Sequence, residues 1–431
     1  MKKVNKEIKE QLEGKRLLLL GGSLWKDAIK KIADEYGITL IATGNSQKAG
    51  IFEIASEKYA VNSTNAEEMK KLIVEKNIDG VYMGGNETVI GSACTYLDEL
   101  GMPCYCKKYQ WEALQDKRKF KELCMAHNLP VAPKLDIDKI YDEHIEFPVI
   151  TKPADGCGSS GFTVCHNMKE LEYGIEKAKE NSPTQQIILE KFVKNDGVVV
   201  FYTVSNGQLF FSGLEDKYPV RYEKQGSYVG GLFVFESKLK KEFRERFEES
   251  ISELVQDLEI KEGSFWIEVF YDGNNFYFNE AGYRYGGSAS IYPIDYVYGI
   301  NQVAADIFYA LTGKSQIHGF IPIISEGVSH KRYYAVYPLY SKSGQIYQIE
   351  GYENMKKWPE IVTVISKSDI GDRIEDSGTF SQAVALIHFV FDDENELRNI
   401  INRIHETYQL VDQDGKNMIE QMLNVTNLEI K

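Results

Sequence analysis

The chain has 431 residues, 43% of them hydrophobic, enough for two to three domains at ~150 residues each, which excludes a disordered chain or a disulfide-stapled miniature. Against 50 basic residues stand 64 acidic ones, a net charge of −14, so the basic footprint of a non-specific nucleic-acid binder is absent and no nucleic-acid partner is expected. Apolar runs such as residues 17–20 fall far short of the ~20 residues of a membrane span, and the Lys/Glu-rich start carries no apolar signal region, so neither membrane nor leader is expected.

Residues 16–20 read as a buried strand ending at Gly21-Gly22, with Ser23 placed to cap the next segment. Trp25, Ala28/Ile29, Ile32/Ala33 and Tyr36 then recur at helical spacing as far as Gly37. A strand at 38–43, a helix marked by Met69, Leu72 and Ile73, and a strand at 79–83 complete a parallel α/β unit. This unit contains no GxGxxG, so it gives no support for a cofactor of its own. Asp116 is placed to cap a helix carrying Phe120 and Leu123, which Leu129-Pro130 ends. Strands and aromatics dominate from there to about 235. Phe243, Phe247, Ile251, Leu254 and Leu258 predict an amphipathic helix over 239–258. A hairpin comes next at 265–280, then strands at 333–338 and 345–349 and a helix with Leu397, Ile400, Ile401 and Ile404. The cysteines at 94, 104, 106, 124, 157 and 165 form no CxxC pair, and free thiols in a reducing cytoplasm fit them best.

The stretch Phe147-Pro-Val-Ile-Thr-Lys-Pro-Ala-Asp-Gly-Cys-Gly-Ser-Ser-Gly-Phe-Thr-Val164 holds a glycine loop. Gly156, Gly158 and Gly161 match GxGxxG formally, but the residues after them read as a strand, not the helix a dinucleotide site requires. No Lys comes after them, so the loop is not a Walker A loop. A strand–loop–strand with Ser159, Ser160 and Gly161 can fold over phosphates, offering backbone N–H groups and hydroxyls, and Lys152 on the preceding strand can reach the same anion. A mobile surface hairpin explains the same composition.

A second stretch, 265–284, sets Glu268 within an apolar strand and Glu280 at the end of the returning one. Glutamate is rarely buried unless paired or bound to metal. A two-residue turn at Asp272-Gly273 would point the two to opposite faces. A three-residue loop would set Glu280 diagonally beside Glu268 on one face, ~7–8 Å apart at the backbone. Two such carboxylates together with phosphates are what Mg²⁺ prefers, and Arg284 could clamp a transferring phosphoryl group. A structural Glu–Arg pair on a surface hairpin is the alternative.

Taken in order, these blocks resemble the ATP-grasp superfamily, the fold of biotin carboxylase, D-alanine–D-alanine ligase and the L-amino acid ligases. The likeness spans nearly the whole chain. It implies a mixed α/β and α+β architecture. A Rossmann-like parallel α/β domain would occupy 1–115, and a two-part ATP-grasp domain 116–314, with a small lid at about 120–190. An α+β portion would fill 315–431. It implies ATP and Mg²⁺ (or Mn²⁺) as cofactors, with Lys117 and Lys152 on the phosphates and Glu268 and Glu280 on the metal. Ser159, Ser160 and Gly161 would form the phosphate flap. Ile188-Leu-Glu-Lys-Phe-Val193 resembles the adenine-reading hinge, which involves Glu190, Lys191, Phe192 and Val193. Two departures stand out. Gly282 replaces an Asn that members commonly use as a further metal ligand, and only Asp196 is available near the hinge for the ribose.

The implied activity is a carboxylate–amine ligase, in which an acyl phosphate made from ATP is attacked by an amine. Its partners would be a small carboxylate and an amine, and the resemblance allows a homodimer. Arg284 would stabilise the transferring phosphoryl group and Lys152 would share the catalytic role. Tyr283, Tyr285, Gly286, Gly287 and Ser288 would face the acceptor pocket. Lys217, Arg221 and Tyr222, after a strand, would enter the same cleft, and Glu87 at a strand end could hold an amino group. Gly344-Gln-Ile-Tyr-Gln-Ile-Glu350 and Gly371-Asp372 tilt the resemblance toward an amino acid donor. A ligase with another acyl acceptor, of carbamoyl-phosphate-synthase type, and a nucleotide-binding module without catalysis remain the alternatives.

Overall fold

The computed structural model describes residues 2–45, 50–142, 144–154, 161–193, 197–222, 227–322, 332–426 and 428–430. Four short strands, β1 (Arg16–Leu19), β2 (Thr39–Thr43), β3 (Glu57–Tyr59) and β4 (Gly80–Tyr82), pair in parallel in the order β3-β2-β1-β4. Strands covered on both faces need continuous apolar runs, and Leu17, Leu18 and Leu19 are fully buried. The helix Lys26–Tyr36 ends at Gly37, whose φ of 71° is the left-handed conformation that commonly closes a helix. Ser23 is not the expected cap. It opens a 3-10 turn, Ser23–Trp25, entered from Gly22 at φ 105° with no side-chain capping bond. Asn86 does cap the helix Glu87–Glu99, accepting from the Val89 N–H, and so fixes where Glu87 emerges at the end of β4.

A small antiparallel sheet comes next, β5 (Val149–Pro153), β6 (Thr163–Cys165) and β7 (Ile187–Lys191), in the order β6-β5-β7. The helix Met168–Glu180 covers it and closes a separate core with Val149, Cys165, Leu171, Ile175 and Leu189. The apolar stripe of that helix is thin, so the sequence pattern does not announce it. Gly174 lets it sit close: a Cβ there would lie 2.5 Å from Thr151 Oγ1.

The remaining strands build one sheet. β8 (Val198–Ser205), β9 (Gln208–Arg221), β10 (Tyr228–Phe235), β11 (Gly263–Tyr271), β12 (Phe276–Gly282) and β13 (Tyr333–Ser341) join the strands Ala383–Phe391 and Ile361–Ser366, with Ile419–Glu420 beside β13. The order is β12-β11-β8-β9-β10-β13, then Ala383–Phe391 and Ile361–Ser366, and the pairs along it are antiparallel. The sheet therefore runs unbroken from the β11–β12 hairpin into the C-terminal residues through Phe233↔Val336. The helix Lys240–Asp257 packs Phe243 and Phe247 against Phe276 and Phe278 of β12, as the apolar stripe requires. The helix Glu394–Thr407 buries Leu397, Ile400, Ile401 and Ile404 in the C-terminal core. Among the described residues no helix is long and apolar enough to cross a membrane.

Candidate active site

The hairpin carries the geometry. Its loop has four residues, Asp272 to Asn275, and the Asp272 carboxylate holds it by accepting from the N–H groups of Asn274 and Asn275. Neither of the two expected loop lengths is correct. Tyr271↔Phe276, Phe270↔Tyr277 and Val269↔Phe278 pair in one register, then the pairing shifts by one residue at Asn279. Beyond this bulge Glu268 lies directly opposite Glu280, not diagonal to it. Without the extra residue Glu280 would oppose Ile267, which points into the core. Asn279 is thus the reason both carboxylates share a face.

Each carboxylate has a cationic partner. Glu268 is 9% exposed, pairs with the Lys217 ammonium, and accepts from Asn279 Nδ2 at 2.7 Å. Burial would raise its carboxyl, but Lys217 holds it below the usual carboxylate range. Glu280 Oε2 lies 2.9 Å from Lys117 Nζ. Lys117 is the first residue of the helix Lys117–Ala126, which Asp116 caps by accepting from Arg118 N–H and Lys119 N–H. One turn later Lys121, not singled out in the sequence, points the same way. An i, i+4 spacing from Lys117 was the available signal.

Lys121 meets the small β6-β5-β7 sheet. Glu190 on β7, 3% exposed, lies between Lys121 and Lys152 of β5, with Lys152 Nζ at 2.8 Å from Oε2. Burial would raise the Glu190 carboxyl, but Lys152 and Lys121 pull it below its ordinary range. Burial, together with Lys152, pushes the Lys121 ammonium down to about 8. Glu190 therefore presents no free carboxylate to a base; it anchors two lysines. Lys152 Nζ also approaches Asn279 Oδ1 at 3.5 Å, linking the small sheet and the hairpin. At the end of β7, Lys191 is exposed, Phe192 and Val193 are half-buried, and the N–H groups of Lys191 and Phe192 donate to Pro133 and Pro148 carbonyls. Ser159, Ser160 and Asp196 lie outside the described residues. Gly161 is described at φ 75°, where a Cβ would sit 2.5 Å from the Asn181 side chain, so only glycine fits.

Arg284 lies on the same face as Glu280. Its Nε donates to Glu87 Oε1 at 3.0 Å, its Nη1 to the Tyr285 carbonyl at 2.8 Å, and its guanidinium stacks on Trp266 at 5.2 Å. Glu87 thus pairs with Arg284 in this structure. Trp266 also explains Gly282, the residue directly opposite it. A Cβ at 282 would lie 2.6 Å from the indole ring, so a metal-ligating Asn has no room there. A cleft of about 740 Å³ opens between Glu87, Trp111, Lys117, Trp266, Glu280 and Arg284.

Several acceptor-pocket expectations need correction. Tyr283 and Tyr285 are buried in the core, where Tyr283 Oη donates to the Tyr105 carbonyl at 2.9 Å and Tyr285 Oη to Asp306. Both lie beyond the end of β12 at Gly282 and are buried, whereas Arg284 between them is half-buried and lines the cleft. Lys217 and Arg221 lie within β9, not after a strand. Arg221 is exposed and sits over Tyr228 at 5.8 Å, while Tyr222 is packed against Tyr340 in the C-terminal core. Gly286 approaches Phe201 and Ser290, Gly287 is exposed, and Ser288 is buried as a hydrogen-bond partner of Glu215. Glu215, also unforeseen, continues the row Glu280–Glu268–Val199 across the sheet, and burial pushes its carboxyl well above the usual range.

Comparison with known proteins agrees with this geometry. The ATP-grasp domain family matches residues 114–288. The formate-dependent phosphoribosylglycinamide formyltransferase of Wolinella succinogenes is 26% identical over 281 residues, 62% of this chain and 70% of that protein. Its Bacillus subtilis counterpart is 25% identical over 287 residues, covering 63% and 71%. In structure, the L-amino acid ligase of Bacillus licheniformis superposes with a TM-score of 0.74 at 18% identity, covering 93% of this chain and 99% of its own. The biotin carboxylase domain of Hydrogenobacter thermophilus 2-oxoglutarate carboxylase gives 0.74 at 18% identity, covering 94% and 91%. Residues 114–288 match the ATP-grasp domain family, and the chain shares its fold with these solved structures over more than nine-tenths of its length.

Proposed function

We propose that the protein is an ATP-dependent, ADP-forming ligase that joins a small carboxylate to an amine through an acyl phosphate. The observation that carries this is the facing pair Glu268 and Glu280, of which Glu280 lines the same cleft as Lys117 and Arg284 while Glu268 is tied through Asn279 to Lys152. Mg²⁺ is commonly bound by one or two carboxylates plus phosphate oxygens, so this donor set fits it. When bound, Mg²⁺ would neutralise the phosphate oxygens from which charge must move.

The chain's own residues supply the rest. Lys117 and Lys152 offer ammonium groups to the phosphates. Glu190 fixes Lys152 in place, and its single negative charge between two lysines leaves the cluster with a surplus positive charge suited to an anion. Arg284, stacked on Trp266, is positioned to hold the acyl phosphate oxygens. Attack by the amine forms the C–N bond and breaks the bond from acyl carbon to phosphate oxygen, releasing phosphate. Positioning and charge neutralisation carry such transfers, with little covalent work for the protein. Folding of the lid over the site would exclude the water that destroys an acyl phosphate.

The curated relatives are named for formate and phosphoribosylglycinamide, and a structural neighbour for L-amino acids. Here the opposed charges of Glu87 and Arg284 in one cleft favour an amino acid as the carboxylate. The described cysteines 94, 104, 106, 124 and 165 are free thiols, which supports a cytoplasmic enzyme. The test is phosphate release from Mg-ATP across a panel of amino acids and amines, expected only when both substrates are present. Glu280→Gln should abolish that release while leaving the fold intact, because its part-exposed pair with Lys117 contributes at most about 1 kcal/mol. Unchanged release in this variant would refute the assignment.

A further inference from the structure

We propose that Asn279 supplies a third protein oxygen to the divalent cation held by Glu268 and Glu280, an inference that rests on the ligase reading of the same cleft. Three observations lead to it. Asn279 is the extra residue of the β-bulge, unpaired by its neighbour strand and set beside the two carboxylates. Bulges next to functional sites commonly re-aim a side chain. Its amide orientation is set by chemistry: a lysine can only donate and a carboxylate only accept, so Oδ1 faces Lys152 and Nδ2 faces Glu268. Nδ2 is firmly bound, at 2.7 Å from Glu268 Oε2. Oδ1 lies 3.5 Å from Lys152 Nζ, at the outer edge of hydrogen bonding, and an amide oxygen has two lone pairs. It therefore keeps acceptor capacity next to two carboxylates.

The alternative on the same strand is closed. Gly282, the next residue on the face of Glu280, brings no side chain, and Trp266 fills the space a larger residue would need. A neutral carboxamide is also the oxygen this place tolerates. Lys217 and Lys117 already balance Glu268 and Glu280, so a third carboxylate would add repulsion in the metal-free protein, which a bound cation offsets. Hard divalent cations accept carboxamide oxygens alongside carboxylates.

The test reads metal directly. Mn²⁺ replaces Mg²⁺, and free Mn²⁺ is followed by electron paramagnetic resonance during titration of the full chain with ADP present. Asn279→Ala should weaken Mn²⁺ by about tenfold or more. Asn279→Asp keeps an oxygen but loses the donor to Glu268, and should bind Mn²⁺ at or above the wild-type level. If Asn279 merely orients Glu268, the aspartate variant will fall with the alanine variant, and the proposal is overturned. Wild-type affinity in Asn279→Ala overturns it equally. Should the alanine variant not fold, the aspartate arm alone decides. Failure of the wild-type protein to bind Mn²⁺ with ADP would instead overturn the ligase reading beneath it.

Discussion

The Glu190 cluster makes the sharpest energetic prediction. Glu190→Gln keeps the volume and removes the charge between two lysines whose side chains are 10% and 16% exposed. Lys121, already down to about 8, can escape by losing its proton, at roughly 1.4 kcal/mol for the one unit above pH 7. Lys152 loses a charge-assisted hydrogen bond worth about 1.5–3 kcal/mol. The sum, about 3–4 kcal/mol, falls within the ~3–5 kcal/mol typical of breaking a buried pair from one side. At about 2–4 °C per kcal/mol for a domain of this size, thermal unfolding should begin about 6–16 °C lower. Adding Lys121→Met should recover the roughly 1.4 kcal/mol owed to Lys121, because only Lys152 then lacks its partner. The assay is thermal unfolding at pH 7 of wild type, single variant and double variant. A single variant as stable as wild type, or a double variant that simply adds two losses, would refute the account of Glu190 as a buried anchor.

Two further predictions concern the same face. Gly282→Asn should not improve metal binding; forced against the Trp266 ring, it should cost about 1–3 kcal/mol of overpacking, relieved when Trp266→Ala is combined with it, as urea unfolding will register. The second is a pH dependence. Lys121 has a folded-state value of about 8, below the ~10.4 of a free lysine, so the unfolded chain binds more protons between these values. The penalty for burying its charge is therefore full below pH 8 and fades as pH rises. Stability relative to Lys121→Met should climb through this window by up to about 1.4 kcal/mol per pH unit, and a flat or falling difference contradicts the buried ammonium.

Much of this was legible in the sequence, and the exceptions have physical reasons. Apolar runs closed by glycine marked β1 and the helix ending at Gly37, and the spacing from Phe243 to Leu258 marked the long helix, because local patterns decide these elements. The Asp116 cap, and with it the position of Lys117, was equally local. The burial of Tyr283 and Tyr285 was implicit in their alternation with Arg284, although both were expected to face the pocket. The hairpin register was not legible. Residues 276–280 alternate as an ordinary strand would, and nothing in them announces that Asn279 is left unpaired. Its consequence, Glu280 on the face of Glu268, is a tertiary fact. So are Glu190 between two lysines and Glu87 on Arg284, since each partner comes from a different segment of chain.

These pairs together describe how the site can exist before its ligands arrive. Two carboxylates directly opposite on adjacent strands repel, and a row of lysines on their own would do the same. The fold resolves both by pairing them with each other: Lys117 with Glu280, Lys217 with Glu268, Lys121 and Lys152 with Glu190, Arg284 with Glu87. A nucleotide bearing Mg²⁺ offers the converse set of charges, phosphate for the ammonium groups and metal for the carboxylates. On the proposed reading, binding is an exchange of partners in which few charges are left bare at any stage. Glu190 stands outside the proposed exchange, since its burial makes surrendering both lysines too costly, and this would keep Lys152 aimed while Lys117 trades partners. The division separates anchors from participants by burial: Glu190 at 3% exposure belongs to the first group, and the part-exposed pair Lys117–Glu280 to the second.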